Sequence, residues 1–184
     1  MPKLFMLLLG AIPAGRNIEQ HDVFFGIGES LKDLIPDVTK FWQGGNKLHI
    51  DAWREITAVN GYRVAVVEKK EAEQHNAIKL FFINLGGYKK DEFEEFHYKM
   101  VIAAAGKAEA IAFSKDTAFF RHTGFKDANS HIDDKYGVDV DDLYEIADIL
   151  PAGIKDKYSL VITAQDDITE DEIHLGYFKL SMFI

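Results

Sequence analysis

The chain has 184 residues, a net charge of −9 at pH 7 and no cysteine. The charge opposes long-range attraction to DNA, RNA or an anionic membrane, and no long basic run offsets it. The missing thiols exclude a disulfide framework, a thiolate nucleophile, an iron–sulfur cluster and a cysteine-type zinc site, and they fit a reducing cytoplasm. With 47% hydrophobic residues, fourteen Phe, seven Tyr and two Trp, there is material for one compact core or two small ones.

Residues 3–9 are a continuous apolar run, as in a strand covered on both faces. The stretch Met1–Ala14 also has the outline of a short signal peptide, so export stands as the alternative. Nothing in the chain approaches the ~18 apolar residues of a membrane span. Gly10 to Arg16 reads as a loop and Val23–Ile27 as a second strand. Ser30 opens a helix with Asp33 three residues on, a capping-box variant. Leu31, Leu34, Ile35, Val38, Phe41 and Trp42 share one helical face, and Pro36 predicts a kink or restart. Lys47–Ile56 and Tyr62–Glu68 read as strands joined through the turn signal Asn60-Gly61. Residues 69–78 are polar and read as a linker. Strands over 79–86 and 98–104 and a helix over about 107–120 follow. Asp139–Leu150 has Val140, Leu143, Ile146, Ala147 and Leu150 at helical spacing and is expected to be an extra helix, stopped by Pro151. Lys157–Ala164 and Ile173–Leu180 close the chain as strands around the acidic loop 166–172.

An internal repeat organises these elements. Lys3-Leu-Phe-Met-Leu-Leu-Leu-Gly10 returns as Lys79-Leu-Phe-Phe-Ile-Asn-Leu-Gly86, and Glu19-Gln-His21 returns in the same register as Glu95-Phe-His97. Recurrence at position 79 argues that the first run is a strand and not a leader. With small insertions, Phe41-Trp42 matches Phe119-Phe120, and His49-Ile-Asp51 matches His131-Ile-Asp133. The expectation is an α+β protein of two homologous β-β-α-β-β-like units, residues 1–72 and 73–184, packed with approximate two-fold symmetry.

The arrangement resembles a bacterial family, domain-of-unknown-function family 1543. Lys3-Leu-Phe-x4-Gly10, Glu19-Gln-His21-Asp22-Val23 and His49-Ile-Asp51-Ala-Trp53-Arg-Glu-Ile56 carry the resemblance, which covers both copies. It implies one or two copies of a small domain and implies no activity.

Four of the seven histidines occupy matched positions, each two residues from a carboxylate: Glu19 with His21, His49 with Asp51, Glu95 with His97, and His131 with Asp133. On a strand, residues i and i+2 share a face, so each pair can present an imidazole and a carboxylate together. If both pairs of a copy converge, two imidazoles and two carboxylates suffice for zinc, manganese or non-haem iron. The plainer reading is a structural hydrogen-bond pair reused because the fold is reused. A polar binding surface between the copies is the third.

Other features are weaker. Gly26-Ile-Gly28 before a helix permits a phosphate loop, but Gly at such a turn is more often conformational. Asp139, Asp141 and Asp142 read as a helix N-terminus, and Asp166 to Glu172 as a solvated loop; neither matches a calcium loop. Trp53 and Arg54 become Lys135 and Tyr136 in the second copy, which points to the first copy if one alone functions, or else Trp53 simply packs. There is no Gly-x-Ser-x-Gly. The sequence therefore supports a cytoplasmic binding or structural module, with a metal-dependent enzyme on the duplicated pairs as the alternative. A homo-oligomer, a protein partner at an open sheet edge, and a small-molecule ligand stay open.

Overall fold

The computed structural model describes residues 1–69, 77–88, 93–122 and 139–183. The chain is mixed α+β, and every strand pairing among the described residues is antiparallel. No helix among them is long and apolar enough to cross a membrane. The chain forms two units: residues 1–74 together with 149–184, and residues 75–148.

In the first unit, β1 (Lys3–Pro13) is the inner strand of a four-stranded sheet with β2 (Gln20–Gly28), β3 (Gly45–Glu55) and β10 (His174–Lys179), in the order β10-β3-β1-β2. The uninterrupted apolar run of β1 is explained by burial on both faces. Phe5, Leu7 and Leu9 point to one side with Phe24, Ile50 and helix α1 (Leu31–Phe41); Leu4 and Phe25 are buried on the other. Helix α1 inserts Leu31, Leu34 and Val38, the i, i+3, i+7 stripe its sequence announces. Its start is held by the Asp33 carboxylate, which accepts the backbone N–H of Ser30 and of Glu29 at 2.9 Å each. The helix is a single element through Pro36. The carbonyl that Pro36 leaves unpaired belongs to Lys32 in the exposed first turn, where water can serve it.

A second sheet of the same unit has the order β4-β5-β9, from β4 (Ala58–Val59), β5 (Tyr62–Glu68) and β9 (Tyr158–Ala164). Asn60 (φ 33°) and Gly61 (φ 85°) make the expected tight turn. It joins β5 to the two-residue β4 and not to β3, which pairs instead with β1 and β10. The C-terminal segment returns to the first unit because β9 pairs along all of β5 and β10 docks on β3. Residues 149–184 thus belong with the first unit.

In the second unit, β6 (Lys79–Tyr88) lies between β7 (Glu95–Ala104) and β8 (Asp139–Glu145), and α2 (Lys107–His122) packs on β6 and β7. The expected helix over Asp139–Leu150 is instead β8 followed by the one-turn α3 (Ile146–Ile149). The register explains the difference. Asn84 pairs with Asp142 and Leu85 with Val140, so β8 carries one extra residue, Asp141. A bulge lets residues three apart share a sheet face, and Val140 and Leu143 both pack on the Phe81, Ile83 and Leu85 core. Helical spacing and a bulged strand look alike in such a window. Asp139, Asp141 and Asp142 therefore lie in a strand and do not start a helix. The remaining short helix is α4 (Ala152–Lys157), and a 3₁₀ turn (Leu180–Phe183) follows β10.

Candidate metal centre

The site is built around a glycine in the middle strand. Gly10 of β1 stands directly opposite His21 of β2 on one side and His49 of β3 on the other. Residues opposite one another in antiparallel strands share a face, so both imidazoles rise beside a position without a side chain. A Cβ at Gly10 would stand 2.5 Å from Asp51 Oδ2 and 2.6 Å from His49 Nε2. The glycine serves room here and not backbone conformation.

The bulge in β3 delivers the first carboxylate. Leu8 pairs with Ala52 and Leu9 with Ile50, which leaves Asp51 as the unpaired extra residue. Ile50 stays in the core while Asp51 joins the histidine side. The second carboxylate comes from Glu19, just before β2. Asp51 Oδ1 lies 3.1 Å from His49 Nε2, and Asp51 Oδ2 lies 3.1 Å from His21 Nε2. Glu19 reaches the same two nitrogens, at 3.4 Å (His49) and 3.7 Å (His21). All four first-unit residues expected from the sequence therefore meet in one place. Donor atoms of Glu19, His49 and Asp51 all lie within 4.8 Å of one another, and His21 adjoins them through Asp51.

His49 is only 1% exposed. Its Nδ1 lies 2.7 Å from the carbonyl oxygen of Lys47. A carbonyl only accepts, so Nδ1 carries the proton and donates, and in the neutral ring Nε2 presents a lone pair. Lys47 has φ 58°, a left-handed backbone that lysine adopts at some cost. Nε2 of His49 and Oδ2 of Asp51 are buried and form no hydrogen bond among the described residues. The His49 Nε2 lone pair thus faces the lone pairs of Asp51 Oδ1 at 3.1 Å, an arrangement that needs a cation or a shared proton between them. A tetrahedral ion with bonds of about 2.0–2.1 Å would set its donors roughly 3.3 Å apart; the four nitrogen–oxygen distances of 3.1–3.7 Å bracket that edge.

One neighbour had no signal in the histidine spacing. The ring of Tyr177 lies over His49, centroids 4.2 Å apart. Between Leu175 and Phe178 strand β10 slips register, leaving Gly176 (φ 157°) and Tyr177 without partners on β3. Gly beside an aromatic inside a strand is the available hint of such a bulge.

Trp53 lies away from the site. It pairs with Leu7 on the core face and stacks on His174 at 3.9 Å, so it packs. Gly26 and Gly28 are packing glycines: a Cβ on either would meet Leu34 of α1, at 2.9 and 3.2 Å. The acidic loop is not merely solvated, because the Asp171 carboxylate accepts the N–H groups of Thr57 (2.7 Å) and Ala58 (3.0 Å) and the Thr57 hydroxyl. In the second unit, His97 Nε2 lies 3.9 Å from Glu95 Oε2. His131 and Asp133 lie outside the described residues.

Residues 16–66, which include all four first-unit donors, match the family described as Domain of Unknown Function (DUF1543). The crystal structure of protein Il1583 from Idiomarina loihiensis has the same fold, with TM-score 0.58 and 23% identity over 98% of each chain. A comparison with curated proteins finds no match.

Proposed function

We propose that this protein is a cytoplasmic divalent-metal-binding module whose first unit holds the ion on Glu19, His21, His49 and Asp51. One observation carries the reading: a buried imidazole, fixed in its tautomer by the Lys47 carbonyl, aims an unpartnered Nε2 at two carboxylates. A backbone carbonyl on the far ring nitrogen is the usual support of a metal-bound histidine. Two imidazoles with two carboxylates suit zinc, manganese or iron.

The test is metal content of untagged protein purified without chelator. About one equivalent of zinc, manganese or iron in wild type, absent in His49→Ala and in His21→Ala, supports the reading. His21 is half-exposed, so its variant keeps the core intact. No ion in wild type, even after incubation with each metal and gel filtration, overturns it.

A second reading, a metal-dependent enzyme, is favoured by the exposure of the donors. The side chains of His21 and Glu19 are 42% and 37% exposed, so one side of the ion would face water, as catalytic sites require and closed structural sites do not. Turnover of an ester, amide or phosphoester by metal-loaded wild type, lost in Glu19→Gln, supports it; metal-loaded protein inert on all three leaves the binding role alone.

A further inference from the structure

On the donor-bearing face of the first-unit sheet, the side chains fall into rows that run past the ion position. In the row of the histidines, Lys179 of β10 stands opposite His49, and Gly10 and His21 follow on the other side. Residues opposite one another share a face, so an ammonium-bearing chain starts beside the buried imidazole. Tyr177 lies two residues earlier on the same strand, with its ring over His49 and 56% of its surface exposed. Neither the Lys179 ammonium nor the Tyr177 hydroxyl has a polar partner among the described residues. The next row on this face is apolar. Leu175 stands opposite Ala52, and Ala52 opposite Leu8; Leu175 is 77% exposed.

We infer that the open side of the first-unit ion takes a small carboxylic acid with an apolar body, its carboxylate on the ion beside Lys179 and Tyr177 and its body on Leu175 and Ala52. The inference rests on the metal reading of the first unit and names the ligand of that same site. Charge favours an anion here. Two carboxylates and two neutral imidazoles bring a divalent ion to neutrality, and Lys179 adds one positive charge next to it. The half-exposed Glu19 and His21 leave the ion a side that an outside ligand reaches. An ammonium and a phenol hydroxyl both donate to carboxylate oxygens. The apolar row then selects among anions, since each methylene buried on it strengthens binding roughly fourfold. Inorganic phosphate has no part for that row to hold.

The experiment loads full-length protein with Co²⁺, measures the cobalt content, and follows the visible absorption of the bound ion during titration with hexanoate, acetate or inorganic phosphate. Wild type is compared with Lys179→Met, Tyr177→Phe and Leu175→Ser, all at exposed positions. Hexanoate is expected to change the cobalt spectrum saturably and to bind wild type at least ~10-fold more tightly than acetate or phosphate. Lys179→Met and Tyr177→Phe should each weaken hexanoate at least ~3-fold. Leu175→Ser should weaken hexanoate and leave acetate unchanged. Acetate or phosphate binding as tightly as hexanoate, or hexanoate binding all three variants as it binds wild type, overturns the inference. Cobalt uptake by wild type with a spectrum that hexanoate leaves unmoved overturns the inference and leaves the metal reading standing. Failure of wild type to take up cobalt overturns the metal reading, and the inference with it.

Discussion

In the first unit Gly10 lies between two histidines; in the second Gly86 lies between a histidine and an aspartate. Around that change, much is held in common. Each unit has a bulge in the strand that pairs with the inner strand opposite the hairpin, a Lys–Glu bond from the start of the inner strand, and a carboxylate in the first turn of its helix that accepts backbone N–H from just before it. Asp33 accepts from Glu29 and Ser30, and Glu109 accepts from Ala105 at 2.8 Å. The shared features fix backbone geometry.

The most severe way to break the comparison is to fill the glycine. Gly10→Ala puts a methyl group at 2.5–2.6 Å from Asp51 and from the buried His49 ring, and neither can retreat far. It should abolish metal uptake by the first unit, a loss above ~100-fold, and lower stability by about 1–3 kcal/mol through overpacking. Metal titration and urea denaturation check the two arms; a variant that binds as wild type would show that the donors do not converge over Gly10.

How much of this could be read from the chain depended on whether neighbours in sequence were neighbours in space. Helix α1, its Ser30–Asp33 start and strands β1, β2, β6 and β7 were legible because their signals are local: periodicity, caps and glycine punctuation. The pairs Glu19–His21 and His49–Asp51 were legible as pairs, but nothing local states that β1 lies between them or that Gly10 makes room. Bulges hid the rest. Asp141 makes Val140 and Leu143 mimic a helical stripe, and Gly176 with Tyr177 breaks the alternation of β10. The return of β9 and β10 to the first unit rests on pairings about a hundred residues apart, which no window reveals.

That return supplies a smaller test, in a region with no counterpart among the described residues of the second unit. Asp171 ties the loop before β10 to Thr57 and Ala58. Asp171→Ala should cost about 1–2 kcal/mol, charge-assisted bonds discounted for partial exposure, and should leave metal binding within about twofold. Chemical denaturation with a parallel metal titration measures both. A large loss of affinity would mean that this loop also sets the position of Tyr177 over His49.

The smallest effect concerns a shared feature. The backbone N–H of Ser30 is the main influence holding the Asp33 carboxyl below the usual carboxylate range. A carboxyl with a lower pKa folded than unfolded binds more protons when unfolded. Its contribution is therefore present above the unfolded value of about 3.9 and is lost as pH falls through the folded value. Asp33→Ala should melt below wild type at pH 7, and the gap should close as acidification carries the pH down through the folded value. A gap that stayed constant with pH would assign the effect to helix propensity or packing and not to the ionised cap. Because metal binding also weakens in acid, where donors must shed protons to coordinate, the two proteins must be compared metal-free, so that the cap alone titrates between them.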